Sequence, residues 1–208
     1  MPEPLGSFAF TWPFYAAAVA GYLLGSVPFG LILTRLAGLG DVRHIGSGNI
    51  GATNVLRTGH KGLATATLLL DGGKGAAAAL LGKLFGPDIM VLAAAGAFIG
   101  HLYPLYLGFR GGKGVATFVG IMLAVSPLLG GAICLVWTAS ALAFRYSSLA
   151  ALIAALAAPP LGWLLVSRQI GELALFFLFF IVWRHRTNIG RLIRGDEPKI
   201  GADSQPAP

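Results

Sequence analysis

Long apolar stretches separated by short polar segments set the pattern of this chain. A membrane-spanning helix needs about 20 predominantly apolar residues, and five stretches reach or approach that length. They cover residues 14–33, 62–81, 89–107, 148–166 and 170–183. The pattern therefore predicts an all-α, polytopic integral membrane protein. We expect one membrane-embedded domain over residues 1–208, with flexible ends at about 1–11 and 200–208.

Residues 115–144 form an uncharged run that is too long for one ordinary span and short for two. Two short helices that turn near Ser126–Pro127 or Gly130–Gly131 give seven spans, whereas one long helix gives six. Cytoplasmic loops retain lysine and arginine. Seven spans place twelve of these residues on one side and two on the other, whereas six spans divide them evenly. We therefore predict seven transmembrane helices, with the N-terminus outside and the C-terminus in the cytoplasm.

The composition agrees with a membrane protein, because 56% of the residues are hydrophobic and 11% are charged. A net charge of +7 would point to nucleic acid in a soluble protein. Here basic cytoplasmic loops explain it, so no nucleic-acid partner is expected. Cys134 is the single cysteine, which argues against a disulfide framework or a cysteine metal cluster. The 30 glycines fit close helix packing in a membrane.

Polar residues concentrate in three clusters on the predicted inner face, and the first covers residues 46–57. Its glycines let backbone N–H groups converge on an anion. A helix beginning near Thr53 would point its positive end at the same place, and Arg57 supplies a cation. The alternative is a flexible loop between the first two spans. The predicted phosphate cradle consists of Gly46, Ser47, Gly48, Asn49, Gly51, Ala52, Thr53, Asn54 and Arg57.

The second cluster, residues 110–117, enters the predicted fourth span. A glycine-rich turn with one lysine at a helix start is typical of a phosphate site. The alternative is a simple helix-start turn whose lysine extends to the membrane surface. The predicted site residues of this cluster are Gly111, Gly112, Lys113, Gly114 and Thr117.

The same Gly-Gly-Lys-Gly letters occur at residues 72–75, directly after Asp71. Asp71 and Lys74 are three residues apart in a predicted span, so their side chains can meet. Ionisable residues at membrane depth are costly unless they are paired or hydrated. The sequence leaves open whether they form an ion pair that shapes the site or contact a substrate directly.

The third cluster is the basic tail that follows the last span, residues 184–199. His185, Asn188 and Arg191 are spaced by three residues, and on a helix continuing from that span they form one polar stripe. The alternative is an ordinary cytoplasmic flank attracted to anionic lipid headgroups.

These clusters contain hydroxyls, amides, glycines and cations, but few carboxylates. None of the four histidines begins an HxxxxD motif, and GxSxG and HExxH are also absent from the sequence. Such a site is suited to hold anions without an obvious strong base. We expect no metal and no cofactor.

Three motifs resemble the bacterial membrane acyl-phosphate:glycerol-3-phosphate acyltransferases (PlsY). The first is residues 47–54 with Arg57, and the second is residues 111–117. The third begins at Arg184–His185 and continues through Asn188, Ile189, Arg191, Leu192, Gly195 and Glu197. The motifs follow the family's order along nearly the whole chain.

The resemblance implies transfer of a fatty acyl group from acyl-phosphate to the sn-1 hydroxyl of glycerol 3-phosphate, giving lysophosphatidic acid and phosphate. It implies neither a metal nor acyl-CoA or acyl carrier protein as donor. The acceptor's own phosphate is expected to assist removal of its hydroxyl proton, although a role for Ser47 or His185 stays open. Residues 48–54 would cradle the donor phosphate, and Asp71, Lys74 and Glu197 would support the site. By similarity, the acceptor is held by Ser47, Arg57, Lys113, His185 and Asn188.

The resemblance also places the protein in a bacterial inner membrane, as a monomer in contact with membrane lipid, with its site at the cytoplasmic face. Two alternatives follow from the residues alone. A transporter or flippase of an anionic phosphate compound would also use basic sites among broken helices, but it needs access to both faces. An anion channel would need a polar stripe through several spans.

Overall fold

The computed structural model describes residues 7–201, and within this range the chain has ten α-helices, two short 3-10 turns and no β-strand. The all-α prediction is confirmed. The predicted flexible ends lie partly outside the described residues. The helices are α1 (Phe8–Gly25), α2 (Phe29–Leu36), α3 (Ala52–Leu56), α4 (Lys61–Lys83), α5 (Pro87–Leu102), α6 (Val115–Val125), α7 (Pro127–Phe144), α8 (Ser147–Leu165), α9 (Arg168–Arg184) and α10 (Arg186–Arg194).

Four helical segments in the described range are long and apolar enough to cross a membrane. They are Phe8–Leu36, Pro87–Leu107, Pro127–Phe144 and Ser147–Leu165. Helices α4, α6 and α9 are not among these four segments, because α4 contains charged residues and α6 and α9 are shorter. Helix α4 contains Asp71 and Lys74, α6 has 11 residues and α9 has 17.

Two predicted spans have different boundaries in the structure. Residues 14–33 were expected to form one helix, but α1 ends at Gly25 and α2 begins at Phe29. Pro28 between them has no N–H group to continue the helical bonds. The predicted third span also ends early, at Leu102, because Pro104 restricts the residue before it to an extended backbone. At the N-terminus, α1 begins at Phe8, inside the segment that was expected to be flexible.

The uncharged run 115–144 forms two helices, as predicted, and the break is the first of the two expected positions. Helix α6 ends at Val125 and α7 begins at Pro127. The Ser126 hydroxyl caps α7 by accepting a 3.3 Å hydrogen bond from the Leu129 N–H. Serine followed by proline at the first helical position is a strong helix start.

Helices α1 and α5 pack with their backbones in direct contact. A Cβ atom at Gly21 or Gly25 would collide with the backbone carbonyls of Ala93 and Ala97. Small residues let membrane helices approach until their backbones touch. The glycine-rich composition is therefore used in packing.

Two apolar clusters support the polar end of the bundle. Beneath the glycine turn at residues 111–114, the rings of Phe98 and Phe118 pack around Phe177, with centroid distances of 4.4 and 6.0 Å. Beneath the loop at residues 42–57, the buried side chains are Leu31, Val42, Ile50, Val55 and Ala64. Both clusters fix a polar loop from below, because their side chains anchor the backbone on either side of it.

Candidate active site

The loop at residues 46–54 is organised by the buried side chain of Asn54. Its Nδ2 lies 2.8–2.9 Å from the carbonyl oxygens of Val42, Ile45 and Asn49. Its Oδ1 accepts from the backbone N–H of Ser47 at 3.0 Å. Asn54 was predicted to contact phosphate, whereas the structure shows an inward-facing residue that shapes the loop.

The same loop offers unsatisfied donors at its surface. Ala52 and Thr53 are the first two residues of α3, and in the described part of the chain no group accepts from their N–H groups. Helix α3 begins near Thr53 as predicted, but its five residues give only a small dipole. The donors at the helix start, more than the dipole, make this loop able to hold an anion.

The Arg57 side chain lies against Gly46, where a Cβ would be 2.9 Å from its Nη1 atom. Gly46 also has a φ of +54°, which favours glycine. Among residues 7–201 no hydrogen-bond or ion-pair partner engages the Arg57 guanidinium. Arg57 is therefore available to an anion above the loop.

The glycine turn at residues 111–114 follows the end of α5 and precedes α6, where the sequence placed it. The Gly111 and Gly112 N–H groups donate to the carbonyls of Leu102 and His101. These two donors are thus used by the protein and do not face a ligand. A Cβ at Gly112 would collide with the His101 ring, so only glycine permits this approach.

Arg184 was not among the predicted site residues, although it adjoins His185 in the third motif. It donates to the carbonyl oxygens of Gly112 at 3.0 Å and Gly111 at 2.6 Å. Its guanidinium also lies 5.5 Å from the centre of the Tyr103 ring. Arg184 therefore connects the last long helix to the glycine turn.

The second and third clusters meet through one chain of hydrogen bonds. Lys113 Nζ donates to Asn188 Oδ1 at 2.6 Å, and Asn188 Nδ2 donates to Glu197 Oε1 at 2.6 Å. Arg191 Nε donates to the other Glu197 oxygen at 2.6 Å. The Ser148 hydroxyl, which sequence analysis missed, also donates to Glu197 at 2.6 Å. Nothing in the sequence around Ser148 marks it, because its partner is 49 residues away.

His185 and Asn188 are both buried, but they do not lie on one continuous helix. Helix α9 ends at Arg184, and α10 begins at Arg186. The prediction of a helix continuing from the last span was wrong, because the His185 backbone leaves helical geometry and its ring bonds the preceding turn. Its Nδ1 lies 2.8 Å from the Ile181 carbonyl oxygen.

Burial and the surrounding charges set the protonation of two site residues. Desolvation is the largest influence on Lys113 and, with the charges of Arg191, Arg57 and Arg184, lowers its pKa to about 8 against the opposing effect of Glu197. Desolvation and the Lys113 charge lower the pKa of His185 to about 4. At neutral pH Lys113 is therefore mostly cationic and His185 is neutral. Because a carbonyl only accepts, neutral His185 carries its proton on Nδ1 and leaves Nε2 as an acceptor.

Of the two alternatives for Asp71 and Lys74, the structure contains the ion pair, which is buried. Lys74 Nζ lies 2.8 Å from Asp71 Oδ1 and also donates to the Val27 carbonyl at 2.8 Å. His101 Nδ1 lies 3.6 Å from the same Asp71 oxygen. The pair reaches the glycine turn through the His101 ring, which packs against Gly112.

The other predicted residues divide between the surface and the interior. Ser47 and Gly48 are exposed at the loop, and Arg191 is partly exposed beside Glu197. Thr117 is buried and donates to the Asp71 carbonyl at 2.9 Å, so it joins α6 to α4. Within residues 7–201, no group of three His, Cys, Asp or Glu residues is arranged to hold a metal ion.

The chain matches the family model described as glycerol-3-phosphate acyltransferase over residues 15–195. It is 55% identical over 192 residues to a glycerol-3-phosphate acyltransferase of Mesorhizobium japonicum, covering 92% of this chain and 98% of the relative. A relative of the same name from Paramagnetospirillum magneticum is 57% identical over 187 residues, covering 89% of this chain and 93% of the relative.

The fold is also similar to two crystal structures of PlsY (YgiH), described as an integral membrane glycerol 3-phosphate acyltransferase. The glycerol 3-phosphate form aligns with a TM-score of 0.86 and 38% identity, covering 90% of this chain and 96% of that chain. The lysophosphatidic acid form aligns with a TM-score of 0.84 and 36% identity, covering 90% and 95%. The chain therefore belongs to the glycerol-3-phosphate acyltransferase family.

Proposed function

We propose that this enzyme transfers a fatty acyl group from acyl-phosphate to the sn-1 hydroxyl of glycerol 3-phosphate, forming lysophosphatidic acid and phosphate. The observation that carries the proposal is the convergence of the polar clusters. Lys113 Nζ donates to Asn188 Oδ1 at 2.6 Å, and one cavity borders both Gly48 of the first loop and Gly111 of the glycine turn. Such a site suits two phosphate-bearing reactants. Membership of an acyltransferase family argues against the transporter and the anion channel.

The chemistry needs little beyond binding and charge neutralisation. In the reaction the acceptor oxygen bonds to the acyl carbon, and the bond from that carbon to the phosphate oxygen breaks. The acceptor's own phosphate assists removal of the hydroxyl proton, which ends on the inorganic phosphate that is released. An acyl-phosphate is a mixed anhydride with a good leaving group, so orientation and electrostatic stabilisation supply much of the catalysis. This agrees with the two titratable residues of the site. At neutral pH Lys113 is mostly protonated, and His185, with a pKa of about 4, is only a weak base.

Five residues are proposed to hold the acceptor: Ser47, Arg57, Lys113, His185 and Asn188. Arg57 and Lys113 would bind its phosphate, since both are cations on converging loops. Neutral His185 offers Nε2 as an acceptor for the hydroxyl that attacks. Ser47 would orient the reactants without becoming acylated, because its exposed hydroxyl is 3.3 Å from the amide oxygen of Asn54 and has no histidine partner in the described residues.

The donor phosphate is proposed to lie on the loop at residues 48–54. The unsatisfied N–H groups of Ala52 and Thr53 support this assignment. The acyl chain would extend sideways between helices into the bilayer, while both phosphates stay at the interface. The reaction would use no metal, no other cofactor, and neither acyl-CoA nor acyl carrier protein.

We further propose that α4, α6 and α9 also cross the membrane, which gives seven spans when α1 and α2 count as one. These three helices pack directly against the four long apolar segments. The basic-residue distribution then places the N-terminus outside and the active site at the cytoplasmic face of a bacterial inner membrane. Residues 1–208 would form one domain, active as a monomer.

The first experiment measures phosphate release by the purified, detergent-solubilised enzyme given palmitoyl phosphate and glycerol 3-phosphate, with palmitoyl-CoA as the parallel donor. We expect release that depends on the acceptor, and lysophosphatidic acid formed only from palmitoyl phosphate. A Lys113→Ala protein prepared identically controls for contaminating activity. Product from palmitoyl-CoA alone would overturn the donor assignment.

A further inference from the structure

An open cavity of about 590 Å³ lies beside the glycine turn, outside the five residues assigned to the acceptor. We call it the basic vestibule and define it by Arg43, His44, Phe109, Arg110 and Arg184. It also borders Gly48 of the first loop and Gly111 of the glycine turn. The basic vestibule therefore adjoins both proposed phosphate-binding loops.

Two of its cations are held in fixed positions. Arg43 donates from Nε at 2.9 Å and from Nη2 at 2.6 Å to the two oxygens of Asp41. The hydrogen bonds from Arg43 hold the pKa of Asp41 well below its usual range, so the pair stays ionised. Arg184 is held by the two glycine carbonyls, which fix its direction without neutralising its charge.

The third cation, Arg110, is presented by an unusual turn. Gly108 and Phe109 have φ angles of +57° and +63°, and the left-handed region is uncommon for phenylalanine. The turn is closed by the Phe109 N–H, which donates to the Pro104 carbonyl at 3.0 Å. Backbone strain of this kind concentrates at functional positions. Arg110 follows it and is exposed at the cavity wall.

The basic vestibule carries an excess of positive charge. In the described part of the chain, no carboxylate pairs with Arg110 or Arg184, and Asp41 neutralises one charge while also contacting Arg35. Three guanidinium groups thus face one cavity with a single carboxylate beside them. A concave cationic surface raises the local concentration of an anion and its rate of arrival.

We propose that the basic vestibule captures the phosphate dianion of glycerol 3-phosphate as it arrives from water, before the acceptor passes the glycine turn to Lys113. The acceptor is the water-soluble reactant, and the cavity is lined mainly by cations and backbone, with Phe109 as its one large apolar side chain. Capture of the acceptor would depend on long-range charge. The basic vestibule should therefore affect the binding and the arrival rate of glycerol 3-phosphate more than the chemical step. The kinetic test rests on the proposed acyl-phosphate donor, because it uses that donor in the assay.

The test compares Arg110→Gln with a matched control, Lys61→Gln, which removes an exposed cation at the first residue of α4. At low ionic strength, Arg110→Gln should raise KM for glycerol 3-phosphate by about three- to tenfold and leave kcat within about twofold. The difference from wild type should shrink as salt is added, since salt screens exposed charges. The inhibition constant of inorganic phosphate against glycerol 3-phosphate should rise in parallel.

The proposal is overturned if Arg110→Gln behaves like Lys61→Gln, if kcat falls without a change in KM, or if KM changes for palmitoyl phosphate instead. His44→Gln should show a smaller effect in the same direction. If wild-type enzyme is silent with palmitoyl phosphate, the donor assignment fails on its own. Calorimetric titration of glycerol 3-phosphate into wild-type, Arg110→Gln and Lys61→Gln proteins then tests the vestibule directly, and equal affinities would reject it.

Discussion

Lys113 Nζ lies 2.6 Å from the side-chain oxygen of Asn188, on an element 75 residues away. An ammonium group only donates and the Glu197 carboxylate only accepts, so the Asn188 amide can adopt one orientation. The Asn188 amide thus bridges Glu197 and Lys113, so the position of Glu197 helps to fix that of the Lys113 cation. The glycine turn and the tail helix form one site because of this contact.

Lys113 is expected to set the alkaline limit of activity. Its pKa is lowered to about 8, chiefly by burial, so the cation is lost as the pH rises through that value. If the cation binds substrate phosphate, kcat/KM should fall above about pH 8. Lys113→Arg should retain its charge and move this limb upward, even if its maximal rate is lower. The measurement is the rate of phosphate release from about pH 6 to 10, corrected for spontaneous hydrolysis. If kcat/KM of Lys113→Arg falls at the same pH as that of wild type, Lys113 does not set the alkaline limit.

Removing either proposed phosphate ligand should leave a folded protein with much lower turnover. For Arg57→Ala and Lys113→Ala we expect a loss of ~2–4 kcal/mol of transition-state stabilisation, as for a lost oxyanion donor. This corresponds to about 30- to 1,000-fold in kcat/KM. Lys61→Gln, outside the site, should keep wild-type rates. Wild-type kinetics in either alanine variant would exclude that residue from the site.

Glu197 should stabilise the tail through three hydrogen bonds. Burial opposes its ionisation, but bonds from Ser148, Asn188 and Arg191 outweigh this effect and lower its pKa. Glu197→Gln should lower stability by about 1–3 kcal/mol, since buried donors lose their charged acceptor. Ser148→Ala should cost less, about 0.5–1.5 kcal/mol.

The pH dependence distinguishes this contribution of Glu197 from simple packing. A carboxylate with a lowered pKa stabilises the fold above its unfolded value of 4.5, and the effect is lost as the pH falls. Thermal unfolding in detergent should therefore show a large difference in Tm between wild type and Glu197→Gln at pH 7. The difference should narrow at about pH 4 or below. A constant difference at both pH values would mean that the charge is not responsible.

Removing one partner of the buried Asp71–Lys74 pair should lower the stability of the fold much more than replacing both partners with apolar residues. Asp71→Ala leaves Lys74 buried without its counterion, and a loss of about 3–5 kcal/mol is expected. The double variant Asp71→Leu with Lys74→Met should recover much of this stability, since apolar pairs often replace buried ion pairs. Lys83→Gln, at the exposed end of the same helix, is the control. Unfolding of the four proteins in detergent measures the effect, and equal stability of Asp71→Ala and the control would disprove it.

Several features followed from local sequence. The break at Ser126–Pro127, the start of α3 near Thr53 and the glycine turn before α6 depend on residues within a few positions of each other. Caps, prolines and glycines act at that range. The grouping of polar residues into three clusters was also readable, because apolar stretches of membrane length leave few other places for them.

Other features depend on residues far apart. The residue type and position of Asn54 predicted a phosphate ligand. In the structure its buried amide is satisfied by three carbonyls and a loop N–H. The expected helix through His185 is broken where its ring bonds Ile181. Arg184 and Ser148 went unrecognised, because their partners lie 72 and 49 residues away.

The sequence by itself determined the helical class, the grouping of polar residues into three clusters and the types of residue that can bind phosphate. Periodicity, charge distribution and short motifs carry that information, because it depends on near neighbours along the chain. Only the tertiary structure decided which polar groups face the site and which hold it together. A buried polar group must find a partner, and packing, rather than sequence distance, determines which partner is within reach.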